Sequence, residues 1–162
     1  MAHPIRARRA VLTLTLALAG CGSLPGALPP GTTIDSARHS GLGPTQEYRL
    51  ANGGTRLEFD QGKQTYMLDF DPSGALVGSQ QVLTEANLGS VAPGMSAAEV
   101  RMRYGRPAWI YGIGYQRRHV WNYRFDGGDC VWYQISIDDA AGLVVDSNLG
   151  QDPACDGPSK HF

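Results

Sequence analysis

The 162-residue chain has no apolar run long enough to cross a bilayer. Its best candidate, Ala10 to Ala19, covers ten positions and is broken by the hydroxyls of Thr13 and Thr15. Ten helical residues rise only about 15 Å, half the hydrocarbon thickness of a membrane, which excludes a spanning anchor there. Charge is also scarce. With 18% charged residues and a formal net charge of -1, the chain lacks the concentrated Lys and Arg that phosphate backbones require, and nucleic acid is excluded as a partner. The histidines are scattered, and no H-E-x-x-H or C-x-x-C spacing occurs, so the common metal motifs are missing. There is no G-x-S-x-G nucleophile elbow, and "YGIGY" at 111 to 115 lacks the third glycine and following helix of a phosphate loop. No catalytic constellation is visible, and neither a cofactor nor a metal is called for. The sequence therefore reads as a non-enzyme. The 42% of hydrophobic residues still suffices for a core.

What the N-terminal segment does have is order. Arg6, Arg8 and Arg9 precede the short apolar run, and small residues then lead through Leu18-Ala19-Gly20 into Cys21. This is a charged region followed by a hydrophobic region, the layout of an export signal. Its end is similar to a bacterial lipobox, in which the thiol takes a diacylglycerol and the signal is cut before the cysteine. Each acyl chain adds about 0.8 kcal/mol per buried methylene, so multiple acylation at Cys21 holds a soluble body firmly on a membrane. Gly22 follows instead of the Asp that signals inner-membrane retention, which favours the periplasmic face of the outer membrane. A plain signal peptide with an incidental cysteine is the alternative. Cleavage would remove three arginines and shift the formal charge to -1 - 3 = -4.

The other two cysteines are Cys130 and Cys155. In an oxidising compartment an even pair reads as a disulfide. Closing a loop of 155 - 130 = 25 residues should contribute about 3 kcal/mol. The competing expectation is a catalytic thiolate at Cys130 with His119 as its base.

The chain divides into a signal segment 1–20, a Gly- and Pro-rich tether 21–31, a first unit 32–88, a second unit 89–155 and a tail 156–162. The two units repeat each other. Pro30-Gly31 is echoed by Pro93-Gly94 and Gly43-Pro44 by Gly105-Arg106-Pro107, with separations 93 - 30 = 63 and 107 - 44 = 63. "RLEF" at 56 to 59 answers "VWNY" at 120 to 123, and "YMLDFDPSG" at 66 to 74 answers "YQISIDDAAG" at 133 to 142, the spacing drifting to 142 - 74 = 68. In the second unit Ser96 and Glu99 form a capping box, Ala97, Val100 and Tyr104 fall at helical spacing, and Gly105 and Pro107 stop the helix. Thr33, Ile34 and Ala37 predict a shorter helix in the first, and Thr84 caps another before Pro93. Alternating strands follow, Leu57 and Phe59 facing one way, Arg56, Glu58 and Asp60 the other, so each sheet is expected to keep one wet face. The carboxylate neighbours Asp69 with Asp71 and Asp138 with Asp139 read as turn formers. The expected class is α+β: two tandem units of short helices packed on an antiparallel sheet, after the signal and tether.

The second unit holds the candidate binding residues. Trp132 has opposite parity to Val131, Tyr133 and Ile135, placing it on the wet face with Gln134; Asn122 and Arg124 join it by the same parity. An exposed Trp among polar groups and Arg is the composition of an interface hot spot. The alternative is that the C-terminal tail, fastened through Cys155, covers it. Trp109, Tyr111 and Tyr115 are assigned to the loop and hairpin after the helix, as core lids or contacts.

"PGMSAAEVRMRYGRP" from Pro93 to Pro107, followed by "WNY" at Trp121 to Tyr123, resembles the BamE-like (SmpA/OmlA) lipoprotein motif of Gly-Met-Ser, a helical Val, a Gly-x-Pro stop and an aromatic strand. The first unit, with "GPT", "RLEF" and "QTYMLDFDPSGALVGSQQVLT", is similar to the partner unit of two-unit members, and the resemblance covers the chain from about Gly31 to Leu149. It implies a helix-pair plus antiparallel-sheet unit, similar also to the beta-lactamase-inhibitor-protein fold, whose open sheet face grips another protein. The implied role is non-catalytic protein binding or scaffolding in envelope assembly or integrity. The partner implied is an envelope protein, the outer-membrane assembly machinery being one candidate. Inhibition of an envelope hydrolase is the alternative that the inhibitor-like architecture implies.

Overall fold

The computed structural model describes residues 28–41, 43–127, 130–152 and 155. The signal segment 1–20, the lipidation candidate Cys21, most of the 21–31 tether and the tail 156–162 lie outside the described residues.

Three helices begin alike. Thr33, Thr84 and Ser96 each place a side-chain oxygen 3.1–3.2 Å from the N–H three residues on, at Ser36, Asn87 and Glu99. This satisfies a donor that the first helical turn leaves open. The helices are α1 (Ile34–Arg38), α2 (Glu85–Leu88) and α3 (Ala97–Tyr104). The last stops at Gly105, whose φ of 80° lies where a side chain is strained. Among the described residues none is long and apolar enough to cross a membrane.

The strands form two antiparallel four-stranded meanders. The first runs in the order β1 (Gln46–Arg49), β2 (Thr55–Asp60), β3 (Thr65–Phe70) and β4 (Leu76–Gln81). The second runs β5 (Trp109–Ile113), β6 (Arg118–Tyr123), β7 (Val131–Asp138) and β8 (Val144–Gln151). The class is thus α+β. Each sheet is bridged to the helix before it at one matched point: Thr33 meets Ala75 and Ser96 meets Leu143. Those pairs are 96 - 33 = 63 and 143 - 75 = 68 residues apart, the separations seen in the sequence. The expected turns form at Asp71 and Asp138, whose carboxylates accept from Ser73 N and Ala140 N at 2.9 Å. Asp69 does not take part; it lies on β3 in a two-pronged ion pair with Arg56, at 2.6 and 2.7 Å.

Two apolar clusters hold these layers. One face of the first sheet, with Leu57, Phe59, Leu68, Phe70 and Leu76, packs on Ala37 of α1. The larger cluster joins Tyr123, Tyr133, Ile135, Ile137 and Val144 of the second sheet to Val100 and Tyr104 of α3 and to Leu83, Leu88 and Val91 of the connecting segment. Met67 of the first sheet belongs to it too.

That membership corrects the expectation of a wet face on the first sheet. Glu58, Thr65 and Met67 lie on the face predicted to be wet and are 0%, 1% and 3% exposed. The reason is the end of α3, which docks there. Arg56 donates to Met102 O at 2.8 Å, satisfying a carbonyl that the helix end leaves open. The buried Glu58 carboxyl accepts from Tyr48 Oη at 2.5 Å, Thr45 Oγ1 at 3.3 Å and Arg106 N at 3.1 Å. A Cβ at Gly105 would stand 2.9 Å from its carboxyl carbon, so only glycine lets backbone and carboxyl meet. Gly105 O in turn accepts from Tyr123 Oη at 3.0 Å.

Candidate functional site

The outer face of the second sheet is built by strand parity. On β6 the inward residues Trp121 and Tyr123 face the core, which turns Val120, Asn122 and, just past the strand, Arg124 outward. The register sets Trp109 opposite Asn122 and Asn122 opposite Gln134, while Trp132 pairs with Gly150. All four residues proposed from sequence therefore share this face.

Their exposure differs from expectation. Trp132 is 4% exposed and Asn122 1%, so neither is the exposed anchor that parity suggested. Two neighbours on the same face explain the burial of Trp132. The Arg124 guanidinium lies 4.6 Å from its ring centroid, a cation–π contact, and the Trp109 ring packs 6.1 Å away at 59°. Its indole N–H has no acceptor among the described residues. Arg124 is itself fixed by Asp152, Nε to Oδ2 at 2.8 Å, and this bond raises the guanidinium pKa above its ordinary value.

Asn122 is buried because its amide is already engaged. It donates to Val120 O at 3.2 Å and Trp109 O at 3.3 Å, and accepts from Gln134 Nε2 at 2.8 Å. Gln134 lies flat against Gly150, where a Cβ would collide with its amide. Asn122, 1% exposed, braces the sheet and is not an exposed contact, while Gln134 is half-buried and stays on the face proposed from sequence.

Exposure falls instead to Trp109, which is 49% exposed and stacks on half-buried Tyr111 at 5.1 Å. Sequence reasoning placed them in a loop and hairpin; both lie on β5, the first strand of the β5–β6 hairpin. The signal was present: Trp109, Tyr111 and Ile113 alternate with Ile110 and Gly112 at the strand period. Asp152 was missed as well, because its role depends on the chain closure that follows it. Together the side chains form one ladder, Tyr111, Trp109, Trp132, Arg124, Asp152.

The closure is the Cys130 and Cys155 pair, at disulfide distance with Cα atoms 5.3 Å apart. Asp152 N donates to Cys130 O at 2.8 Å, which seats Asp152 beneath Arg124. The thiolate alternative at Cys130 is thereby removed, and His119 hydrogen-bonds Asp139 instead. Among the described residues no group of three or more His, Cys, Asp or Glu side chains could hold a metal ion. The ladder offers stacking area, a guanidinium and fixed geometry, which suits recognition.

No family model, curated protein or solved structure matches the chain.

Proposed function

We propose that the chain is a lipoprotein anchored through Cys21 at the periplasmic face of the outer membrane, binding another envelope protein through the outer face of its second sheet. The observation that carries the binding reading is Trp109, half exposed between Tyr111 and Trp132 in a braced aromatic and cationic ladder. Large aromatic and Arg side chains held rigid before contact are what binding hot spots consist of, since little side-chain freedom remains to be lost.

Localisation rests on the sequence, with the arginines, short apolar run and Leu18-Ala19-Gly20-Cys21 ending, and gains support from a cysteine pair of the kind that oxidising compartments preserve. In the same reading the two sheets are tandem units of one duplicated module. The first acts as a buttress, its second face occupied by the end of α3, and the second presents the contact surface.

Two measurements test this. Metabolic labelling with a palmitate analogue should tag the wild type and leave Cys21→Ser unmarked. In-cell cross-linking should recover a partner with the wild type and with Tyr115→Ala, which alters an 87% exposed turn residue outside the ladder, and lose it with Trp109→Ala and Arg124→Ala. An untagged wild type removes the anchor, and equal recovery by all variants removes the sheet-face site.

A further inference from the structure

We propose that β5 pairs edge to edge, antiparallel, with β5 of a second copy, joining two second sheets into one eight-stranded sheet. The inference shares Trp109 and Tyr111 with the ladder but rests on the open backbone edge of β5, not on the function assigned to the outer face.

A sheet edge presents a row of open N–H and C=O groups, and proteins guard such rows with charge, polar side chains, proline or bulges. Three of the four sheet edges among the described residues are guarded. β1 carries Glu47 and Arg49, the former ion-paired with Arg38 at 2.8 Å. β4 carries Ser79, Gln80 and Gln81, and its register is broken at Asp69/Phe70. β8 carries Asp146, Ser147 and Asn148, and its register is broken at Ser136/Ile137. β5 has none of these devices. It reads Trp-Ile-Tyr-Gly-Ile, pairs with β6 without a bulge from Trp109 to Ile113, and leaves Trp109 49% and Ile110 39% exposed.

The strand's own order of large and small residues selects a second copy as the occupant. In an antiparallel pair centred on Tyr111, Ile110 faces Gly112 of the second copy, and Gly112 faces the other Ile110. Each exposed isoleucine then covers bare backbone, while Trp109 meets Ile113 and the two Tyr111 rings lie opposite. Aromatic and β-branched residues set opposite one another are the favoured cross-strand pairs, and no charge faces a charge. The contact is isologous, so it closes at two copies and does not propagate.

Sedimentation velocity of the purified full chain in a mild detergent tests the pairing. The wild type should sediment as a dimer. Tyr111→Lys and Tyr111→Glu each set like charges opposite and should weaken association roughly tenfold or more, leaving folded monomers. An equimolar mixture of the two should restore the dimer, because Lys then faces Glu. Gly112→Ala keeps the test alive if the charged variants misfold. A Cβ there meets the His119 ring at an ordinary 3.7 Å, so the fold accepts alanine while the notch for Ile110 narrows and association weakens. A monomeric wild type, a Tyr111→Lys chain that dimerises like the wild type, or a mixture that stays monomeric would each overturn the proposal.

Discussion

Glu58 and Asn122 occupy matched places in the two repeats, one in "RLEF" and one in "VWNY", and both are buried, at 0% and 1% exposure. Their partners differ. Asn122 is satisfied within its own sheet, by Trp109 O, Val120 O and Gln134. Glu58 reaches outside its sheet to Arg106 N, just past the end of α3. One buried polar side chain therefore closes a sheet upon itself, and the other fastens a sheet to the next unit. That difference goes with the other contacts of the α3 end, Arg56 on Met102 O and Met67 in the larger core, in covering the second face of the first sheet.

The largest expected effect strikes the fastening. Glu58→Ala leaves Tyr48 Oη and Arg106 N without the carboxyl that accepts from them, while Thr45 Oγ1 keeps the backbone carbonyl of residue 58 at 3.2 Å. Unsatisfied buried groups of this kind cost about 1–3 kcal/mol each, and even partial relaxation should leave a loss of about 3 kcal/mol. Asn122→Ala should cost about 1–2 kcal/mol, because it strands one donor, Gln134 Nε2, where Glu58→Ala strands two. Urea unfolding midpoints with the disulfide intact compare the two. Equal losses would break the contrast. Gly105→Ala should behave like Glu58→Ala, since its methyl would collide with the same carboxyl at a positive φ.

Next in size is the pair Cys130→Ser with Cys155→Ser, which should cost about 3 kcal/mol or somewhat less, and in the second unit alone. Loss of the closure frees Asp152, and with it the clamp on Arg124 over Trp132. Tryptophan emission should move to the red as the buried indole meets water, while amide exchange in β2 and β3 stays as slow as before. Faster exchange in β2 and β3 would mean that the buttress depends on the closure, contrary to the division of labour drawn above.

How much of this was legible follows from the range of the interactions. The helix of the second unit was readable to its ends, because Ser96 and Gly105 act within one turn of themselves, although only half of the capping box forms and the Glu99 carboxyl turns to Arg103 at 2.5 Å. The alternation of β2, β3, β6 and β7 was readable too, being a period of two along the chain. Strand β5 escaped because two glycines interrupt "WIYGIGY", and its short run suggested a loop. Parity placed Trp132, Asn122, Arg124 and Gln134 on one face correctly. It could not tell that Trp132 would be covered, since that depends on Trp109 across the sheet and on Asp152 held by a disulfide. The lost wet face of the first sheet was least legible. Nothing local to Glu58 or Met67 reveals that α3, some 40 residues on, ends against them.

Smaller effects sharpen the comparison at the helix starts. Ser96→Ala removes the acceptor for Glu99 N from a helix that buries Val100 and Tyr104 in the larger core, and should cost about 1 kcal/mol. Thr33→Ala acts on a five-residue helix that buries only Ala37, and should cost about half as much. Thermal unfolding of the two variants measures the difference, and a larger loss for Thr33→Ala would reverse the ranking of the units.

The finest distinction lies in acid. Asp71 and Asp138 close matched turns, and both carboxyls are held below their ordinary pKa. For Asp71 the main cause is the Ser73 hydroxyl, then the Ala75 N–H; for Asp138 it is the N–H groups of Ala141 and Ala140, with Arg117 and Arg118 adding attraction. A carboxyl whose folded value is depressed contributes fully above its unfolded value and loses that contribution as pH falls through the folded one. Each turn should therefore hold at neutral pH and weaken below about pH 4, the ordinary carboxylate range. The causes separate the two repeats. Added salt screens exposed charges but not hydrogen bonds, so the Asp138 titration should move only by the small share that Arg117 and Arg118 supply, while that of Asp71 stays in place. NMR titration of both carboxyls at low and high salt reads this directly, and a salt-dependent Asp71 would show that charge acts on that turn as well.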